Sequence, residues 1–90
     1  MLKIKPGYML REIAGHFAVF PLGSRTVEFT GVITLNESGA FLWESMTNEI
    51  SEDELTNKFM LEYGVDTETA RQDIKDFTKV LKDNDLLVLE

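Results

Sequence analysis

The hydrophobic rhythm of this chain changes once, at Asn36. Before it, in VEFTGVITL, Val27, Phe29, Ile33 and Leu35 alternate with Glu28, Thr30 and Thr34, the period of two that gives a strand one apolar and one polar face. After it, in NESGAFLWESM, Leu42, Trp43 and Met46 fall along one side of a helix. Strands that come first and helices that follow confine the chain to an α+β fold, with the sheet and the helices segregated. Gly31 and Val32 interrupt the alternation. A glycine inside a strand marks a bulge or a place where another backbone comes close, which would suit a sheet edge; a kink ahead of the helix accounts for it equally well.

Two further strands are expected upstream. Tyr8 to Ala14 and Phe17 to Leu22 are rich in aromatic and aliphatic residues, and Gly15-His16 between them suits the glycine-first pair of a type II′ hairpin turn. Pro21 and Gly23-Ser24-Arg25 close the second strand. Together these predict a three-stranded antiparallel N-terminal sheet.

Downstream, each helix announces its start. Asn36 is placed to cap the first, with Leu35 and Ala40 as a small staple, and this helix is expected to run to about Thr47. Ser51 and Glu54 form a capping box with Ile50 and Leu55 as its staple, and the second helix turns Leu55, Phe59 and Tyr63 inward until Gly64 stops it. Asp66 or Thr67 caps the third and longest, in which Ala70, Ile74, Phe77 and Leu81 recur at helical steps and predict that Phe77 is buried; Asn84 ends it. The apolar tail LLVLE is expected to lie back on the core. The result is a winged helix-turn-helix-like arrangement, a sheet followed by a three-helix bundle. At 90 residues without a break in composition, a single domain spanning 1–90 is expected.

Composition excludes much chemistry. The chain has no cysteine, which removes disulfides, thiolate metal sites and cysteine nucleophiles. No segment reads as a signal peptide or a membrane span, so a cytoplasmic protein without membrane association is expected. The one histidine, His16, falls in the expected hairpin turn, where an exposed polar residue explains it better than a general base. Glu52-Asp53-Glu54 sits where a helix dipole favours acids, so it reads as structural rather than metal-binding. The glycines form no nucleotide-binding motif. Trp43, among Phe41, Leu42 and Met46, reads as core. No catalysis, metal or cofactor is expected.

A winged-helix, nucleic-acid-binding regulator is the alternative that the architecture raises. Its recognition helix would be the third, which carries Asp66, Glu68, Asp73, Asp76 and Asp83 against Arg71, Lys75, Lys79 and Lys82 on a chain of net charge −7. Affinity for a phosphate backbone comes largely from cations that displace counterions, so such a helix would bind it poorly. A subunit that only stabilises an enzyme or a dimer is a third reading.

The order of elements and the local residues resemble the PqqD-like family, also called RiPP recognition elements. The likeness rests on GYMLRE, HFAVF, LNESGAFLWESM and DIKDFTKVLKDNDLLVL, and covers about Pro6 to Leu89. Its most specific pieces are Leu35-Asn36-Glu37, Gly39-Ala40 and Trp43, then Asp73, Phe77 and Leu81. The resemblance implies a non-catalytic peptide chaperone. It would bind the leader segment of a ribosomally made precursor peptide and present it to a modifying enzyme, often a radical SAM enzyme. The leader would add as a strand to the third strand and rest against the third helix. On this sequence that points to Val27, Glu28, Phe29, Thr30, Gly31, Val32, Ile33 and Thr34 for the strand edge. Arg71, Ile74, Lys75, Thr78 and Lys82 are the positions for the helix side, with Ile74 better read as core. Many relatives are fused to their enzyme; a chain of this length would couple to it in trans. The precursor, the enzyme and the oligomeric state are not written in these residues.

Overall fold

The computed structural model describes residues 1–22 and 33–88. Three strands precede three helices: β1 (Tyr8–Ile13), β2 (His16–Pro21), β3 (Ile33–Leu35), α1 (Glu37–Ser45), α2 (Glu52–Tyr63) and α3 (Thr67–Asp83). The sheet is antiparallel in the order β1-β2-β3, so β3 is an edge among the described residues. Val27 to Val32 and Gly23-Ser24-Arg25 lie outside the described residues. Ile33 and Leu35 are half-buried against the core while Thr34 is exposed, as alternation requires.

The hairpin turn sits one residue earlier than the sequence suggests. Ile13 pairs with His16, leaving Ala14 and Gly15 as the central residues, with φ of 52° and 80°. Positive φ at both positions is the type I′ geometry, whose twist matches that of the flanking strands. His16 is therefore the first residue of β2 rather than part of the turn, and it remains exposed.

All three helix starts are capped by the expected side chains. The Oδ1 of Asn36 accepts from the Gly39 N–H at 2.8 Å, the Oγ of Ser51 from Glu54 at 3.1 Å, and the Oδ1 of Asp66 from Thr69 at 2.8 Å. α1 ends at Ser45, short of the expected Thr47, with Met46 as its C-cap and the Met46 N–H shared between the Leu42 and Trp43 carbonyls at 3.1 Å. Gly64 closes α2 in the left-handed conformation, with φ of 63°.

The core gathers Leu42 and Trp43 of α1 with its C-cap Met46, Leu55 and Phe59 of α2, and Ala70, Ile74 and Leu81 of α3 under Val19 of the sheet. Phe59, Phe41 and Tyr63 form a tilted aromatic cluster, with Phe59 and Tyr63 ring centres 4.9 Å apart. Phe77 is a correction: it is half-buried, at the margin of the core rather than inside it.

The N-terminal segment does structural work that composition did not reveal. Leu2 and Ile50 exchange backbone hydrogen bonds of 2.7 and 3.0 Å, the Ile4 N–H reaches the Met46 carbonyl at 2.9 Å, and Lys5 bonds Leu86 at 2.8 Å. Leu86 and Leu87 of the returning tail are buried, and Val88 donates to the Lys3 carbonyl at 2.9 Å. One extended strap thus ties the end of α1, the entry to α2 and the exit from α3.

Three outcomes follow for stability. Phe59→Ala should cost about 3–5 kcal/mol in denaturant unfolding, whereas Leu61→Ala, at a position 87% exposed, should be near neutral. Ala14→Asn should raise the midpoint by relieving a left-handed alanine, a gain of about 1 kcal/mol. The hydrogen bonds from Thr69 hold the Asp66 carboxyl below its ordinary range. A lowered folded value means that this stabilisation is present above the unfolded carboxylate range and is lost as pH falls through the folded one. Thermal unfolding should therefore show wild type losing ground to Asp66→Asn, a cap that does not titrate, as pH falls below the ordinary carboxylate range.

Candidate functional site

A cleft of about 390 Å³ opens one residue beyond the end of β3, lined by Asn36, Ser38, Gly39 and Leu42 on one wall and Asp73, Asp76, Phe77 and Val80 on the other. Its first wall is the strand-to-helix junction. Because the Asn36 side chain turns back to cap α1, the helix begins at once and its first turn lies against Leu35. Gly39 lets the α3 wall approach: a Cβ there would sit 3.0 Å from Asn36 Oδ1, 3.3 Å from Leu35 Cβ and 3.3 Å from the Phe77 ring. The Tyr63 hydroxyl donates to the Glu37 carbonyl at 3.4 Å and braces α2 to the same turn. Burial, followed by the carboxylates of Glu37 and Glu62, pushes this phenol above its usual range, so it stays a donor at neutral pH.

The second wall shows why Phe77 is only half-buried. At about 100° per residue, Asp73, Asp76 and Val80 fall on one flank of the Ala70, Ile74 and Leu81 stripe, and Phe77 sits on the border. Leu42 forms a buried floor, and Val80 is left 43% exposed at the rim. Apolar surface thus lies open beside an edge strand whose outer side pairs with no other strand among the described residues.

The residues singled out on the third helix lie on its other flank. Arg71, Lys75, Thr78 and Lys82 line a separate cavity of about 480 Å³ with Leu2, Glu52, Glu68 and Gln72, where α3 faces the N-terminal strap and the start of α2. Arg71 reaches across to Asp53 at 3.4 Å. Ile74 also borders this cavity but is 2% exposed, a core residue. These side chains are together, but not with the β3 junction; of the strand positions, Ile33 and Thr34 are described, and Val27 to Val32 are not. Sequence reading missed Asp73, Asp76 and Val80, and took Phe77 as core alone. Val80 carried the signal, an apolar residue just off the helical stripe.

Elsewhere the candidate chemistry falls away. Glu52, Asp53 and Glu54 occupy the exposed first turn of α2, and Trp43 is buried in the core. Among the described residues no cluster of His, Asp and Glu is placed to hold a metal ion. No helix among them is long and apolar enough to cross a membrane.

The same architecture is found among known proteins. In a solved structure, TbiB1 in complex with the TbiA(beta) leader peptide, the likeness covers 94% of this chain and 93% of that one, with a TM-score of 0.74 and 22% identity. At that identity the likeness speaks to the fold, three antiparallel strands followed by three helices. No curated protein matches. A family model described as coenzyme PQQ synthesis protein D (PqqD) matches residues 9–87, from the second residue of β1 through the returning tail. That span takes in the sheet, the capped junction and all three helices, and the chain belongs to the PqqD family.

Proposed function

We propose that this protein is a peptide chaperone that binds the leader segment of a ribosomally made precursor and presents it to a modifying enzyme. The observation that carries the reading is the open edge of β3 beside a cleft with an apolar floor, within a member of the PqqD family. An edge strand offers unpaired backbone donors and acceptors to an incoming strand, and alternate side chains of that strand can enter a neighbouring groove. That TbiB1, which shares this fold, was solved with a leader peptide supports a leader peptide as the ligand.

On this reading the leader lies along Val27 to Thr34 and turns its apolar side chains toward Leu42, Phe77 and Val80. The chaperone performs no chemistry: it orders a flexible peptide and hands it over. The enzyme is inferred to be of the radical SAM class, in keeping with the family resemblance. A nucleic-acid reading is not favoured, because α3 sets Asp73 and Asp76 on one flank, and on the other its bases stand beside Glu68 and the Glu52 of α2.

The two flanks of α3 make opposite predictions. With the leader of a precursor encoded beside this gene, Val80→Glu should weaken binding at least about tenfold in calorimetry, because it places a charge over the apolar floor. Lys75→Glu should change it less than about twofold, and amide exchange at Ile33 to Leu35 should slow on binding. Loss of binding in Lys75→Glu with Val80→Glu unaffected would move the leader to the basic flank.

A further inference from the structure

Among the described residues, every ionisable side chain lining the β3 cleft is an acid: Asp73 and Asp76 stand on its α3 wall, and no described lysine, arginine or histidine borders it. Asp76 accepts from the Gln72 amide at 2.9 Å. Asp73 has no hydrogen bond or ion pair among the described residues and lies exposed one turn before Phe77. The other flank of α3 differs, since Arg71, Lys75 and Lys82 stand there among Glu52 and Glu68. The groove itself is defined by the strand edge and the apolar surface of Leu42, Phe77 and Val80; the carboxylates decide what else fits there.

We infer that the groove selects leader segments in which an apolar side chain is accompanied, two residues away, by lysine or arginine. The inference rests on the peptide-binding reading above and deepens it by naming the substrate class. The spacing follows from geometry. In an added strand, side chains on one face recur every two residues, about 7 Å apart, while positions one helical turn apart are separated by about 5–6 Å. In a strand laid along α3, an apolar side chain over Phe77 and Val80 brings its neighbour on the same face over Asp73. A base there meets the exposed Asp73 carboxylate, and an acid meets a like charge.

The test is a displayed library of random peptides about twelve residues long, selected on the intact protein. Enriched peptides should share an apolar residue with Lys or Arg two positions away, and the best of them should shift the amides of Ile33 to Leu35. Changing that base to Glu in a synthetic copy should weaken binding about tenfold at low salt, with the gap narrowing as salt rises. Asp73→Asn should level the preference, and Asp73→Lys should reverse it. Peptides that shift Ile33 to Leu35 but carry no base, or a preference that persists in Asp73→Lys, would overturn the inference and leave the groove standing. Failure to recover any peptide that shifts those amides would overturn the groove and the inference together.

Discussion

The site depends on one close approach, that of Phe77 to the first turn of α1. It is possible because position 39 has no Cβ and because the Asn36 Oδ1 is already drawn in to accept from the Gly39 N–H. A longer loop between β3 and α1 would separate the strand edge from the helices, and a larger residue at position 39 would push α3 away. Either change would widen the cleft past the point where one extended peptide could touch both walls. The peptide-binding reading is therefore a consequence of a cap and a missing methyl group, both of them local features that position two distant elements.

What could be read in advance divides along the same line. Caps are short-range: Asn36, Ser51 with Glu54, Asp66 and Gly64 each satisfy orphaned backbone groups within a few residues, so the helix starts and the end of α2 were legible. The hairpin was legible as a hairpin, but its turn was misplaced by one residue because alanine rarely takes positive φ and gave no hint that it would. The strap of Leu2 to Lys5 was not legible at all, since its bonds reach Met46, Ile50 and Leu86 and leave no local pattern. The groove was half legible. Its strand side follows from alternation, but which flank of α3 faces β3 depends on how the helix is rotated against α1, and periodicity gives the stripe without saying what lies to either side. Basic residues drew the eye to Arg71, Lys75 and Lys82, whereas packing turned Asp73, Asp76 and Val80 toward the junction.

α3 thus separates two environments across a single buried seam. On the β3 side it presents apolar surface and carboxylates, and on the strap side mixed charge and the Arg71–Asp53 pair. Surface ion pairs of that kind stabilise little, so the strap-side flank is free to vary with little cost to folding. On the junction side Asn36, Gly39 and Leu42 have no such freedom, because they hold the cap, the approach of the helix and the floor.

The strap has a mechanical meaning as well. Lys3 and Val88 are joined by a backbone hydrogen bond, so the two ends of the described chain leave the molecule side by side. A polypeptide tethered at either end would be suspended from nearly the same point, and swapping a tether from one end to the other would leave the groove pointing in much the same direction. A pull applied across both ends would open the contacts between Leu2 and Ile50 and between Ile4 and Leu87 one after another, as a zip. That would release the exit of α3 before any load reached the sheet. Tension on the ends would thus disturb the helix that forms one wall of the groove while leaving the capped junction that forms the other in place.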